Sequence, residues 1–169
     1  MSASWLIEPL GKRHERAAFS CGQPSLDHYI KTIAGQDARR YGAAPFVVRT
    51  EGSYVVLGYY TLSALTVELT DVPAELASKL PRYPLLPATL IGRLAVAEAA
   101  QGRGLGEYLL MDALSRALRA THEVASCAVI VDPIDERAAA FYGRYDFMPL
   151  MRADRRLFLP MTVVAKIFP

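Results

Sequence analysis

An α/β fold, a mixed central sheet with flanking helices, is predicted by three features of the sequence. β-rich runs alternate with helical periodicities, a glycine cluster joins a strand-like run to the longest helical pattern, and neither a repeat nor a composition break divides the chain. At 169 residues the chain can bury roughly two thirds of its unfolded surface around one core. One domain over residues 1–169 is the expected organisation.

The elements follow in order. Residues 5–10 read as a short opening strand. Ser25 stands as N-cap of an amphipathic helix through Leu26, Tyr29, Ile30 and Ile33, which Gly42 and Pro45 stop. Residues 46–50 and 54–61, around the polar turn Glu51-Gly52-Ser53, form a hairpin, and its second arm continues to about Leu69 because 62–67 is rich in branched residues and holds no breaker. Pro73, Pro81, Pro84 and Pro87 mark a long surface loop with a short helix at 74–80. Residues 88–96 resume a buried strand. The glycine segment then opens a helix whose apolar residues Leu105, Leu109, Ala113, Leu114 and Leu118 recur at spacings that put them on one face. Residues 125–131 are another apolar strand, Asp132 or Asp135 caps a helix through Phe141 and Tyr142, and 156–167 close the chain as β-rich sequence.

Composition narrows the function. Hydrophobic residues at 52% against 21% charged rule out disorder, and no apolar run approaches the roughly 20 residues that span a bilayer. Without a basic stretch followed by an apolar one at the N-terminus, the expected location is the cytoplasm, with no membrane partner. There Cys21 and Cys127 stay reduced, and neither they nor His14, His28 and His122 show a metal-ligand spacing. The histidines read as surface or capping residues and the thiols as structural. A net charge of +2 is too small to signal nucleic-acid binding, yet fifteen Arg against four Lys favours planar, bidentate contacts to phosphate or carboxylate.

The chemistry is concentrated in Gln101-Gly102-Arg103-Gly104-Leu105-Gly106. Between a strand ending at Val96 and a helix, such a segment aims unpaired backbone N–H groups and the positive end of a helix dipole outward, where they bind phosphate. Glycines let the main chain approach the anion, and Arg103 can add a charge-assisted contact. The bland alternative is a turn that only packs against its neighbours. No Lys-Ser/Thr follows at the P-loop position, and the dinucleotide pattern fails at its third glycine.

Gln101-x-x-Gly104-x-Gly106 resembles the pyrophosphate loop of the GNAT acetyltransferases, and Phe141-Tyr142 resembles the family's Phe-Tyr pair on a helix flanking the coenzyme. The resemblance implies a GNAT fold with a splayed strand pair, acetyl-CoA as cosubstrate, and no metal. It implies coenzyme contacts from Leu94, Ala95, Val96, Gln101, Gly102, Arg103, Gly104, Leu105, Gly106 and Phe141. Amides near Leu94 and Val96 would stabilise the oxyanion, and Tyr142 would protonate the departing thiolate or, in the other reading, pack beside Phe141. The family usually carries Gly-Phe where this chain has Asp146-Phe147, and Asp tolerates the left-handed backbone of that turn better than most residues.

Within the family the chain resembles the toxins of bacterial toxin–antitoxin pairs. The carrying pieces are Phe19-Ser20-Cys21-Gly22, Leu26-Asp27-x-Tyr29-Ile30, Gly58-Tyr59-Tyr60-Thr61-Leu62, Gly92-Arg93-Leu94-Ala95-Val96, the glycine segment and Phe141-Tyr142. This implies acetylation of the α-amino group of aminoacyl-tRNA, an arrest of translation, and neutralisation by a small ribbon-helix-helix antitoxin, with a homodimer left open. An α-amino group titrates near about 8, so a strong general base is dispensable. RNA would need a basic surface, for which Arg39, Arg40, Arg82 and Arg93 are the main candidates, with Lys79, Arg137 and Arg144 behind them. Arg93, inside a buried strand, should either meet a carboxylate or face the acceptor. Rival readings are a GNAT enzyme acting on a protein or small-molecule amine, and a silent acetyl-CoA-binding module.

Overall fold

The computed structural model describes residues 4–152 and 155–169; the described residues within Met1–Ser63 and Gly92–Ala113 form one compact unit, and those within Ala64–Ile91 and Leu114–Pro169 form another. In the first unit, β1 (Trp5–Pro9) pairs antiparallel with β2 (Ala44–Thr50), from Trp5↔Thr50 to Pro9↔Phe46. β2 pairs antiparallel with β3 (Gly58–Glu68), from Ala44↔Leu62 to Val48↔Gly58. The second arm of the hairpin thus begins at Gly58 rather than Tyr54, and it does run on nearly to Leu69. Residues 54–56 are drawn away by a different partner: the Glu15 amide donates to the Tyr54 carbonyl at 2.8 Å, and the Val56 amide to the Glu15 carbonyl at 3.1 Å.

Gly58 is required where β3 starts. A Cβ there would stand 2.9 Å from the Ala95 carbonyl oxygen, 2.9 Å from Leu109 Cδ1 and 3.2 Å from Val48 Cγ1. The missing side chain lets the β3 backbone close on the strand that carries Ala95.

The helix expected from Ser25 begins instead at Pro24, with Gln23 as N-cap and no side-chain cap. Proline fits the first helical position because its absent N–H would have no partner there. The helix has three parts: α1 (Pro24–His28), a π-helical turn (Tyr29–Ile33) and α2 (Ala34–Arg39). The wider turn is closed by the Ala34 amide donating to the Tyr29 carbonyl, and Arg16 Nη1 donates to the Ile30 carbonyl at 3.0 Å. After α2 the chain turns through Tyr41, left-handed at φ 60 and 95% exposed.

His14 departs from its expected surface role and is buried. Its Nδ1 accepts the Gly11 amide at 2.8 Å, and Nε2 meets Glu8 Oε1 at 2.8 Å. Hydrogen bonds from Arg49 and then His14 hold the Glu8 carboxyl down at about 2.

In the second unit β3 leads through a 3-10 turn (Leu69–Asp71) to α3 (Ala74–Ala77), shorter than the 74–80 expected. β4 (Leu85–Val96) starts before residue 88 and takes in Pro87, whose carbonyl accepts the Cys127 amide at 2.8 Å. β5 (Ala128–Val131) pairs parallel with β4 over Thr89↔Val129, Leu90↔Ile130 and Ile91↔Val131, and β4 continues beyond that pairing to Val96. The glycine segment opens α4 (Leu105–Ala120), and α5 (Glu136–Gly143) is capped by Asp135, whose side chain accepts the Ala138 amide at 2.8 Å. Asp132, the other cap candidate, instead makes a bidentate pair with Arg156 at 2.7 and 2.8 Å.

The C-terminal expectation of β-rich sequence through 167 is half right. β7 (Leu157–Pro160) pairs antiparallel with β5, but Pro160 then starts α6 (Met161–Ile167). Burial of Met161 and Val164, three residues apart, overrides the strand preference of Thr162-Val163-Val164. The short β6 (Met148–Pro149), which the sequence did not announce, pairs with β7 and completes a seven-stranded sheet in the order β1-β2-β3-β4-β5-β7-β6. No helix among the described residues is long and apolar enough to cross a membrane.

Gly58→Ala should destabilise the protein by about 1–3 kcal/mol through overpacking. Urea unfolding monitored by circular dichroism measures this, and an unchanged midpoint would show that β3 can move aside.

Candidate functional site

Between β4 and α4 the chain passes through a 3-10 turn (Glu98–Ala100) that the sequence reading left as a plain connection. This turn is tied to the segment before α1. The Glu98 amide donates to the Ser20 carbonyl and Ser20 Oγ to Glu98 Oε1, at 2.8 and 2.9 Å. Gln101 Nε2 donates to the Val96 carbonyl at 2.9 Å and to the Cys21 carbonyl at 3.2 Å, and Arg103 Nη2 to the Ala99 carbonyl at 2.9 Å. Both side chains therefore consume backbone acceptors.

Donors remain on the other side of the ledger. Gly104 supplies the carbonyl that accepts the Tyr108 amide at 3.0 Å, so the amides of Leu105, Gly106 and Glu107 lie in the first turn of α4 and have no intrahelical partner. Gly102 and Gly104 are left-handed, at φ 81 and 82, and a Cβ built on either meets nothing within 4 Å. The glycines thus serve the path of the chain and leave open space beside a concentration of N–H groups. Leu105 is buried and anchors the turn, while Gln101, Gly102, Arg103 and Gly104 are exposed. An anion with several oxygens fits this arrangement.

At the end of β4, Ala95 is buried while Leu94 and Val96 are half-buried. Arg93, also half-buried, does not meet the carboxylate that was one of the two expectations made for it. Its guanidinium carbon lies 3.7 Å from the centre of the Tyr29 ring, and among the described residues no carboxylate pairs with it. The sequence reading missed Tyr29 as its partner, because nothing in the spacing links residues 29 and 93.

Phe141 and Tyr142 lie on α5. The Tyr142 ring is buried, edge-on to Phe141 at 5.2 Å and to Phe147 at 5.4 Å. Burial pushes its hydroxyl well above the ordinary tyrosine range, so at neutral pH it holds its proton. The turn behind it passes through Asp146 at φ 70, in the left-handed region that Asp tolerates better than most residues.

Arg39, Arg40 and Arg82 are exposed. Burial also pushes the Cys21 thiol up to about 11 and raises that of Cys127, which leaves both unreactive at neutral pH. Among the described residues no group of three or more His, Cys, Asp or Glu could hold a metal ion.

Comparison with known proteins gives this geometry a context. Over 130 residues the chain is 36% identical to a tRNA-acetylating toxin of Mycobacterium tuberculosis, covering 77% of this chain and 76% of that protein. It is 28% identical over 174 residues to a protein of Sinorhizobium fredii named "Probable toxin TacT", covering 98% and 96%. Among solved structures, AtaT complexed with acetyl-methionyl-tRNAfMet superposes with a TM-score of 0.90 at 26% identity, over 98% of this chain and all 100% of that one. AtaTR bound with AcCoA gives 0.86 at 26%, over 98% and 99%. A tyrosine-to-phenylalanine mutant of AtaT bound to the C-terminus of the antitoxin AtaR gives 0.85 at 25%, over 98% of each chain. Residues 43–149 match the acetyltransferase (GNAT) domain, and with that match the chain belongs to the GNAT acetyltransferase family.

Proposed function

We propose that this protein is a toxin of a bacterial toxin–antitoxin pair that transfers acetyl from acetyl-CoA to the α-amino group of the amino acid carried by aminoacyl-tRNA. Residues 1–169 act as one GNAT domain in the cytoplasm, and a small ribbon-helix-helix antitoxin holds it inactive. The observation that carries the acceptor assignment is the similarity to a tRNA-acetylating toxin over most of the chain.

The residues divide the work. Amides of the Gly102–Gly106 turn and the start of α4 hold the pyrophosphate, with Arg103 adding charge and Gln101 fixing the turn's shape. Leu94, Ala95 and Val96 line the pantetheine arm, and Phe141 packs on the same coenzyme. Bound there, acetyl-CoA supplies an acetyl thioester. As the amine nitrogen forms its bond to the carbonyl carbon, amides near Leu94 and Val96 donate to the carbonyl oxygen, the C–S bond breaks, and Tyr142 gives its proton to the leaving sulfur. The α-amino group, titrating near about 8, is already partly neutral and attacks without a strong base, and the proton its nitrogen sheds as the amide forms passes to solvent. Arg93, Arg39, Arg40 and Arg82 meet RNA phosphates.

Gly104→Glu should abolish detectable acetyl-CoA binding in calorimetry, because it forces a side chain onto a left-handed backbone and puts a carboxylate where the anion belongs. Unchanged affinity would remove the glycine turn from the coenzyme site.

Tyr142→Phe keeps the buried ring and should lower kcat about a hundredfold or more, with little change in coenzyme affinity. Wild-type turnover would return Tyr142 to a packing role.

With labelled acetyl-CoA and charged total tRNA, the label should appear on the aminoacyl group. Charge reversal at Arg39 and Arg40 together should weaken that reaction and flatten its salt dependence while leaving acetyl-CoA binding intact. Label on a protein or small-molecule amine with every charged tRNA untouched would make the protein a different GNAT enzyme; binding without transfer to any amine would make it a silent module.

A further inference from the structure

Arg93 is a half-buried cation on a strand, without a carboxylate partner among the described residues, and its guanidinium carbon sits 3.7 Å from the Tyr29 ring centre. At that separation the guanidinium lies against the aromatic face, so its N–H groups point along its own plane, away from the ring. A lysine ammonium has no such plane. The stack therefore fixes the direction of a fork of donors that nothing else on the described chain occupies.

The ring that does this is itself held from two sides. Its hydroxyl donates to Asp37 Oδ2 at 2.8 Å. The Tyr59 ring stacks with it at 6.1 Å and 18°, and Phe19 abuts Tyr59 edge-on at 5.7 Å. Tyr59 is pinned in turn by its hydroxyl, which donates to the Leu26 carbonyl at 2.7 Å. Phe19, Tyr59 and Tyr29 thus make a buried column with Arg93 at its end. Tyr29 opens the π-helical turn, a conformation that costs stability and concentrates at functional sites, and Arg16 is spent on the Ile30 carbonyl within that turn.

We infer that Tyr29 is a positioning residue for acceptor recognition: its ring, set by the π-helical turn and the column beneath it, aims the Arg93 guanidinium edge-on at a backbone phosphate of the acceptor RNA. This rests on the aminoacyl-tRNA reading above. Phosphate is the ligand class because a directed planar fork matches its oxygens in a bidentate way. Tyr29 acts through Arg93 and touches no substrate.

The test separates direction from charge. Arg93→Lys keeps the charge and loses the plane, and should raise KM for charged tRNA about tenfold, with KM for acetyl-CoA unchanged. Tyr29→Leu should raise the same KM by a similar factor, and adding it to Arg93→Lys should raise it no further; Tyr29→Phe, which retains the ring, should restore the wild-type value. Arg93→Gln should in addition reduce the salt slope of KM by about one phosphate contact. If Tyr29→Leu does not fold, Arg93→Lys alone decides. Wild-type KM in Arg93→Lys, or additive effects of the two substitutions, would overturn the inference while aminoacyl-tRNA acetylation by the unmodified protein stands. No acetylation of charged tRNA by the unmodified protein would overturn both.

Discussion

The separation of donors from acceptors around residues 96–107 is the constraint on which the rest of the site depends. Every buried backbone polar group needs a partner, and a turn between a strand and a helix leaves both kinds unpaired. Here the carbonyls of Cys21, Val96 and Ala99 are taken by side-chain N–H groups of Gln101 and Arg103, while the first-turn amides of α4 are left pointing outward. A turn that had spent its amides internally and exposed its carbonyls would repel phosphate. The glutamine of the motif therefore acts on the sign of the local potential, through bonds that also join this turn to the segment before α1.

The same segment links the proposed coenzyme and acceptor sites through the backbone. β4 leaves its parallel partner after Ile91, and its last residues lie against β3 closely enough that Gly58 must lack a side chain. Arg93 lies on the run whose amides are proposed to meet the acetyl group, and Tyr29 reaches it from a widened helical turn. Shifts of a few tenths of an ångström in β3 would be felt at Ala95, and through it along the strand. Rigid packing is thus what keeps groups from distant parts of the sequence in register.

Much of this was legible in the sequence because it is local. The strand before Gln101, the helix after Gly104, the left-handed Asp146 and the cap at Asp135 are each specified within a few residues of themselves. What was not legible depends on partners far along the chain. The hairpin arm begins late because Glu15 captures Tyr54 and Val56, α6 replaces a strand because Met161 and Val164 are buried, and His14 is buried because Glu8 and Gly11 receive it. Tyr29 under Arg93 belongs to the same class. The π-helical turn has no periodic signature, since its apolar residues are those of an ordinary amphipathic helix.

The two units interleave along the chain, and β3, β4 and α4 each pass from one into the other. During synthesis the first unit cannot close when residue 63 emerges, because it still lacks 92–113. The second unit waits for the last strand and helix. At about 5–20 residues per second, and with long-range pairings that close slowly, the nascent chain stays incomplete until nearly all of it has left the ribosome.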